Sequence, residues 1–426
     1  MIRTVIRTKG RGHAPLSMLA VTGLILVVSC SEGTERSPAG GEVPTVDVIP
    51  EPELEIGAAA TDGYTFTHVA GARFLSNGDI LVGNRANPPR LFRLDRAGHH
   101  VWSAGREGQG PGEFFRIFRF FLVPGDTIIV DDRSQGRLSL ISGDGTHLRT
   151  VTVDRYPDPR GLAALAQIDA LSTGEFVAVH NYWTERGDTV AGRVMSPLMR
   201  VSASGAILDD SVTAVPSYHA LASRPTRTLF GGRRVVRTDR GQVVVGQASF
   251  RVDLMDPDGT LRSSFSWPYP RRPVTEEMIE AQKVADLANM PTELPETGPL
   301  SLAERQRMVE DRYADVAYPE YLPAIHRVIP DLPRTLWVQH YPAPTDSTLL
   351  WSVFDGAGAL IGEAHLPTSF HMTDVQDDLV LGVWTDVLEV QSVRTYRVVY
   401  PGPPTHPRAG VPGSRRVVSV KARGSG

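Results

Sequence analysis

The sequence has very few cysteines and lysines and only one long apolar stretch. It contains one cysteine and three lysines, and arginine supplies the other 41 basic residues. A single cysteine excludes an internal disulfide framework. The 44 basic residues face 48 acidic ones, for a formal net charge of −4, which excludes a strongly basic nucleic-acid-binding protein.

Motifs that would identify a catalytic reaction are also missing. The chain has no G-x-S-x-G nucleophile elbow and no Walker loop. The glycine-rich stretch from Gly105 to Phe114 has the spacing G-x-x-G-x-G-x-G, and strand-forming aromatic residues follow it. A dinucleotide-binding loop has a different glycine spacing and leads into a helix, so this stretch is interpreted as a tight connection between strands. The sequence leaves open whether the protein is an enzyme.

The N-terminus has the form of a targeting segment. Four basic residues occur before position 12, an apolar stretch runs from Leu16 to Val28, and Leu26-Val-Val-Ser-Cys30 follows. This ending resembles the lipobox of bacterial lipoproteins. The resemblance implies a signal peptide over residues 1–29 and a lipid anchor on Cys30. Ser31 in place of aspartate favours the outer membrane of the cell envelope by the same resemblance. An ordinary secretory signal and an uncleaved anchor stay open as alternatives.

Two segments lack apolar periodicity. Residues 30–53 are rich in Ser, Gly, Pro and Glu, which predicts a flexible tether that leads from Cys30 to a folded domain beginning at Leu54. Residues 400–426 contain Pro-Gly-Pro-Pro and a Gly-Ser-Gly end, which predicts a disordered tail.

The region between these segments contains six similar units. Each unit has short β-branched or aromatic strands separated by Gly, Asp or Asn turns, and the recurring strand lies in segments 77–84, 126–132, 173–180, 240–247, 335–340 and 377–384. The units average about 49 residues, near the period of propeller blades. A blade cannot bury both faces alone, so the units must close into a ring. The fold class predicted for residues 54–399 is therefore an all-β, six-bladed β-propeller.

The first two units also resemble a known repeat. Val130-Asp-Asp132, followed by Arg137-Leu, comes after the Gly-Pro-Gly-Glu-Phe114 turn. These residues resemble the NHL-type repeat, and residues 54–399 are similar to six-bladed propeller lipoproteins of bacteria. The resemblance implies fold more than function. It also implies that Glu53 to Gly57, or Val43 to Ile49, pairs with the sheet containing Tyr396 to Val399.

A helical insertion is predicted at 275–325, between blades four and five. Thr275 caps a first helix, with Met278, Val284 and Leu287 on its apolar face, and Ser301-Leu-Ala-Glu304 is a capping box that opens a second. Two interpretations stay open: an elaboration that packs over one end of the ring, or a lid or partner-docking element.

Aligning the units places six polar or aromatic residues at equivalent positions, just after the recurring strand. These candidate site residues are Asn84, Asp132, His180, Gln247, His340 and Trp384. Such residues cap turns by accepting hydrogen bonds from nearby backbone amides. Alternatively Asp132, His180 and His340 are ligands of a single divalent metal ion such as Zn²⁺ or Ca²⁺. No compact ligand motif supports the metal, so no cofactor is evident.

These observations predict a membrane-anchored propeller of the cell envelope that acts as a binding or protein-interaction platform. Its expected partners are the membrane, through lipidated Cys30, and an envelope protein or small-molecule ligand, but not nucleic acid. Trp102, Phe114 and Trp183 are candidate contact residues. The alternative is a metal-dependent propeller enzyme, a lactonase-like hydrolase or a lyase, that uses the central channel.

Overall fold

The structure is a computed structural model, and the part of it described below lies within one compact unit, Arg36–Gly426. The described residues are 43–57, 66–132, 135–153, 165–180, 189–190, 193–219, 230, 235–239, 241–247, 249–294, 298–314 and 318–402. The predicted signal peptide, Cys30 and positions 403–426 of the predicted tail lie outside these ranges. Within them, no helix combines the length and apolar character needed to span a membrane.

Six antiparallel sheets form the blades of a six-bladed β-propeller, as the sequence predicts. Blade one contains β3 (Val69–Phe74), β4 (Ile80–Asn84), β5 (Arg90–Leu94) and β6 (His100–Ala104). Blade two contains β7 (Arg119–Val123), β8 (Thr127–Asp132), β9 (Arg137–Ile141) and β10 (His147–Thr152). Blade three contains β11 (Leu165–Ala170), β12 (Phe176–His180), β13 (Thr189–Val190), β14 (Arg193–Val201) and β15 (Ile207–His219).

The remaining blades follow the same order along the chain. Blade four contains β16 (Val236–Asp239), β17 (Gln242–Gly246), β18 (Arg251–Met255) and β19 (Leu261–Ser266). Blade five contains β22 (Ile325–Asp331), β23 (Thr335–His340), β24 (Thr348–Asp355) and β25 (Leu360–Pro367). Blade six contains β26 (Phe370–Gln376), β27 (Leu379–Thr385) and β28 (Gln391–Val399), joined by β1 (Asp47–Val48) and β2 (Leu54–Ile56).

Burial follows the position of a strand in its blade. The second strands are mostly buried, and β4 and β23 are buried along their whole length, whereas the outer strands β6 and β10 are mostly exposed. A strand buried on both faces needs a continuous apolar run rather than an alternating one. This is why the second strands gave the clearest repeats in the sequence.

Six hydrophobic clusters fill the seams between neighbouring blades. Each cluster takes side chains from two consecutive sheets, for example Leu81 of blade one and Val130 of blade two. The sixth cluster closes the ring, because it joins Ile80 of blade one to Leu381 and Val393 of blade six. Burial of large apolar side chains is the main favourable term in folding, so these seams hold the blades together.

The N-terminal segment completes blade six. β1 pairs with the end of β28 through Asp47 and Val399, and β2 pairs further along β28 through Leu54 and Thr395. The predicted sharing of one blade by the two ends of the propeller is thereby confirmed, and both of the segments proposed for it take part. β1 falls inside the predicted tether at 30–53, so the sheet starts N-terminal to Leu54.

The same segment also contacts the outer strand of blade five. The backbone nitrogen of Val46 donates to the Glu363 carbonyl over 2.8 Å, and the Glu363 nitrogen donates to the Pro44 carbonyl over 2.8 Å. Gly362 allows this approach, because a Cβ there would lie 2.4 Å from the Pro44 oxygen. Residues 44–56 therefore connect blades five and six.

Polar contacts join the first strand of blade six to the first strand of blade one. Asp374 accepts a hydrogen bond from the Phe74 backbone nitrogen over 2.8 Å, and it forms an ion pair with Arg73 over 3.2 Å. The Thr373 hydroxyl donates to the Ala72 carbonyl over 2.8 Å. Because Asp374 is deeply buried, desolvation raises its pKa, and the Arg73 guanidinium opposes this rise.

The insertion between blades four and five contains α1 (Glu276–Ala288), the short strands β20 (Glu293–Leu294) and β21 (Gly298–Pro299), and α2 (Leu302–Tyr313). Both predicted caps are confirmed: Thr275 accepts from the Met278 nitrogen, and Ser301 forms a reciprocal capping box with Glu304. The predicted apolar face is wrong at Val284, whose side chain is 68% exposed. Met278 is buried, and Leu287 packs against the cluster under α2.

Ring closure by β2 can be tested with a matched pair of isoleucines. Ile56 is 2% exposed in the closing cluster, whereas Ile49 in the same segment is 36% exposed. Ile56→Ala should lower the free energy of unfolding by about 2–5 kcal/mol through loss of burial and the cavity left behind. Ile49→Ala should change it by about 0.5 kcal/mol or less. Denaturant unfolding measures both, and equal midpoints for the two variants would contradict closure by this strand.

Candidate functional site

The six predicted site residues lie at matching ends of the second strands. Asn84, Asp132, His180 and His340 are the last residues of β4, β8, β12 and β23. Gln247 directly follows β17, and Trp384 is the next-to-last residue of β27. At this edge the second strand leads to the third, and the outer strand of one blade crosses to the next blade. The edge is called the crossover face below.

Asn84 and Asp132 hold loops of the crossover face. Asn84 Oδ1 accepts a hydrogen bond from the Ala86 backbone nitrogen at 3.4 Å. Asp132 is fully buried, and its two carboxylate oxygens accept from the backbone nitrogens of Phe115 at 2.9 Å and Arg116 at 3.2 Å. These contacts fix the loops that follow β4 and β6, which is the turn-capping role that the sequence allowed.

Gln247 and Trp384 also find partners within their own blades. Gln247 Nε2 donates to Asp253 over 2.6 Å. The Arg394 guanidinium lies 4.2 Å from the centre of the Trp384 ring and donates to Glu55 on β2. Trp384 thus contacts the residue that ties β2 to β28. The side chain of His180 lies outside the described part of the molecule.

His340 is buried in an aromatic cluster at the seam of blades four and five. Its ring centre lies 4.2 Å from that of Tyr269 and 5.1 Å from that of Phe250, and Nε2 shares a 2.7 Å hydrogen bond with the Ser352 hydroxyl. Burial, and then the charge of Arg272, lower the pKa of His340 to about 4. His340 is 4% exposed and Ser352 is fully buried, so this pair is part of the core.

Metal binding at the predicted positions stays a prediction. Among the described residues, no group of three or more His, Cys, Asp or Glu side chains is arranged to hold an ion. Both carboxylate oxygens of Asp132 and the single amide oxygen of Asn84 already accept backbone hydrogen bonds.

The glycine-rich crossover from Gly105 to Phe114 connects β6 to β7, as predicted. Phe114 is fully buried in the seam of blades one and two. Arg137 donates to the backbone carbonyls of Gly108, Gln109 and Glu113. These contacts give an irregular loop a fixed conformation.

Glu113 fixes the crossover from within. Its carboxylate accepts from the Gly110 nitrogen over 2.7 Å and from Arg106 over 2.6 Å. The hydrogen bond from Gly110, followed by that from Arg106, lowers the pKa of Glu113. The left-handed Gly105 (φ +100°) is required as well, since a Cβ there would lie 2.5 Å from the Phe114 ring.

The fixed loops border a cleft on the crossover face where blades one, two and six meet. The cleft, called the Arg85 cleft below, has a volume of about 500 Å³. Its lining residues are His68, Val69, Arg85, Ala86, Asn87, Phe115, Arg116 and Gln391. Gln391 holds the blade-six side in place by accepting from the Val69 backbone nitrogen over 2.7 Å.

Two arginines give the Arg85 cleft its charge. Arg85 is half-buried and donates to the Phe118 carbonyl over 2.6 Å, with the Phe118 ring 5.6 Å from its guanidinium carbon. Burial, and then repulsion from Arg116, lower the pKa of Arg85. Among the described residues, no carboxylate forms an ion pair with Arg85 or Arg116, whereas nearby Arg106, Arg119 and Arg137 pair with Glu113, Asp131 and Asp132.

Exposed apolar side chains lie beside this charge. Phe115, in the lining of the cleft, is 54% exposed. Val387 and Leu388, in the turn just before Gln391, are 99% and 78% exposed. Asp386 fixes that turn by accepting from the backbone nitrogens of Leu388 and Val390, each over 2.8 Å. The aliphatic side chains are therefore presented by an ordered turn.

The predicted contact aromatics need one correction. Phe114 is wrong as a contact, because its ring fills the core between two blades. Phe115, the next residue, is the exposed one. Trp102 is half-buried against Gly145, and Trp183 lies outside the described ranges. Sequence reasoning missed Arg85 and Arg116. Arg85 directly follows Asn84 in the sequence, and the backbone nitrogen of Arg116 donates to Asp132.

Comparison with solved structures agrees with this fold. The chain superposes with a TM-score of 0.50 on a Bacteroides fragilis protein classed as exported, at 12% sequence identity over 84% of this chain and 96% of that one. It matches a member of the DUF4221 family from Bacteroides vulgatus with a TM-score of 0.50 and 11% identity, over 83% and 99% of the two chains. At these identities the similarity concerns the fold alone. No family model matches the chain, and no curated protein does either.

The burial of His340 predicts a pH dependence of stability. Its pKa of about 4 lies below the unfolded value of about 6.5, so between these values the unfolded chain binds more protons. The contribution of the neutral ring is therefore present above about pH 6.5 and is lost as the pH falls toward 4. Between pH 7 and pH 5, the free energy of unfolding should fall by about 2 kcal/mol more in the natural protein than in His340→Gln.

Denaturant unfolding at the two pH values provides this comparison. His68→Gln replaces an exposed histidine and serves as the matched control. An identical pH dependence in the natural protein and in His340→Gln would show that the ring is not held neutral.

Proposed function

We propose that this protein is a lipid-anchored propeller of the cell envelope that binds a partner protein on its crossover face. The observation that carries the proposal is the Arg85 cleft. It combines two arginines that have no carboxylate partner among the described residues with an exposed aromatic ring, Phe115. Aromatic side chains and arginines are the residues enriched at protein interfaces.

The rigidity of the surrounding loops supports binding. Asp132 holds Phe115 and Arg116 through their backbone nitrogens, and Asp386 holds the turn that presents Val387 and Leu388. A surface that is ordered before the partner arrives loses less conformational entropy on association. Binding residues are commonly carried by loops that a rigid scaffold positions.

The location rests on the N-terminus of the sequence. The lipobox-like Leu26-Val-Val-Ser-Cys30 supports acylation of Cys30, and Ser31 supports the outer membrane. The Bacteroides fragilis protein with a similar fold is classed as exported, which supports a location of this chain outside the cytoplasm.

Replacing the cysteine tests the anchor. Cys30→Ser removes the only thiol that could be acylated, so processing should stop and the protein should keep its signal peptide, which a shift in electrophoretic mobility detects. Ser29→Ala keeps a small residue before the cysteine and should remain in the membrane fraction. Membrane association of Cys30→Ser, with unchanged processing, would contradict lipid anchoring.

Site-specific photo-cross-linking in living cells tests the binding surface. A benzoyl-phenylalanine placed at Phe115 should give a discrete cross-linked adduct, because this position borders the Arg85 cleft. The same group at His99, an exposed position in the turn between β5 and β6 at the opposite edge of blade one, should not. The same adducts from both positions, or none from Phe115, would contradict binding on the crossover face.

A further inference from the structure

We infer that the Arg85 cleft binds the carboxylates of an acidic peptide segment in the partner protein. This inference rests on the proposed function and names the chemistry that the same site recognises.

Two positive charges lie in the lining of the cleft. Arg85 and Arg116 both line it. Burial, and then repulsion from Arg116, lower the pKa of Arg85. Arg85 Nε is buried and has no hydrogen-bond partner among the described residues. A carboxylate placed between the two guanidinium groups would accept from both and neutralise their repulsion. Arginine is suited to this, because its planar donors match the two oxygens of a carboxylate.

Part of the lining of the cleft is apolar. Val69, Ala86 and Phe115 share the cleft with the arginines. A cleft of about 500 Å³ falls within the range of about 300–1,000 Å³ in which ligands are bound. A ligand that matches this lining carries an apolar group next to its carboxylate. A peptide with an acidic residue beside a hydrophobic one meets this requirement.

The exposed turn beside the cleft favours a polypeptide over a small molecule as the ligand. Val387 and Leu388 belong to the turn that runs directly into Gln391 of the cleft. Four residues of chain can separate Val387 from Gln391 by no more than about 14 Å. An extended peptide of four or five residues spans that distance, so one segment can place a carboxylate in the cleft and an apolar side chain against the turn.

Selection from a library tests the inference without assuming a particular sequence. The full chain, purified in detergent, is used to select from a random heptapeptide phage library. Recovered sequences should be enriched in Asp or Glu next to an aromatic or aliphatic residue. A synthetic peptide from that set should bind about ten-fold or more weakly when its acidic residues are replaced by Asn or Gln, because each loses a charge-assisted hydrogen bond.

Protein variants locate the binding. Arg116→Gln, at an exposed position, and Arg85→Gln should each weaken binding of that peptide about ten-fold or more. Arg96→Gln changes an exposed arginine of the β5–β6 turn, at the opposite edge, and should bind as the natural protein does. Unfolding midpoints of all three variants separate loss of binding from loss of folding. Since Arg116 is exposed, its variant remains informative even if Arg85→Gln unfolds.

Several results would overturn the inference. They are recovery of no peptides, recovery without acidic enrichment, equal binding of the acidic and amide peptides, or full binding by Arg116→Gln. Binding of phosphatidylglycerol vesicles that depends on Arg85, in the absence of peptide binding, would instead assign the cleft to a lipid phosphate. If the double variant Arg85→Gln, Arg116→Gln still gives the Phe115 cross-link in cells, the peptide inference fails while the proposed function stands.

Discussion

The structure depends on closure of the ring at blade six. Each blade buries its faces against two neighbours, so an open ring would leave the first and last sheets with exposed cores. The N-terminal strands β1 and β2 close the ring by pairing with β28. Ile56 and the hydrophobic cluster around it fill the seam between blades six and one. Asp374 adds direct hydrogen bonds between the first strands of blades six and one.

Closure also brings the candidate site together. The Arg85 cleft takes Arg85 from blade one, Phe115 and Arg116 from the crossover to blade two, and Gln391 from blade six. The hydrogen bond from the Val69 nitrogen to Gln391 crosses the closing seam itself. The buried side chain of Asp132 holds the loop with Phe115 and Arg116, so this loop is tied to the core of blade two. The proposed anchor on Cys30 lies N-terminal to the same closing segment in the sequence.

The sequence predicted the ring better than the site. The second strands are buried on both faces, so their apolar runs, bounded by glycine and aspartate turns, identified six blades and the blade shared by the two ends. Thr275 and Ser301 likewise identified their helices from capping chemistry.

Val284 could not be assigned in this way, because packing of α1 against a second helix decides which side is buried. Arg85, Phe115 and Arg116 lie in irregular loops without periodicity, and only the folded chain shows that Asn84 and Asp132 position them. Asn84 and Asp132 are thus near the cleft, while the side chains that line it come from their neighbours.

The central claim is that the crossover face around the Arg85 cleft is where this propeller binds its partner. Hydrogen–deuterium exchange of the full chain, alone and in complex with the captured partner, tests it most directly. The account predicts slowed exchange in segments 85–87, 115–118 and 386–391 and unchanged exchange in the turns at the opposite edge of the blades. Protection confined to the helical insertion at 276–313, or to those opposite turns, would contradict it.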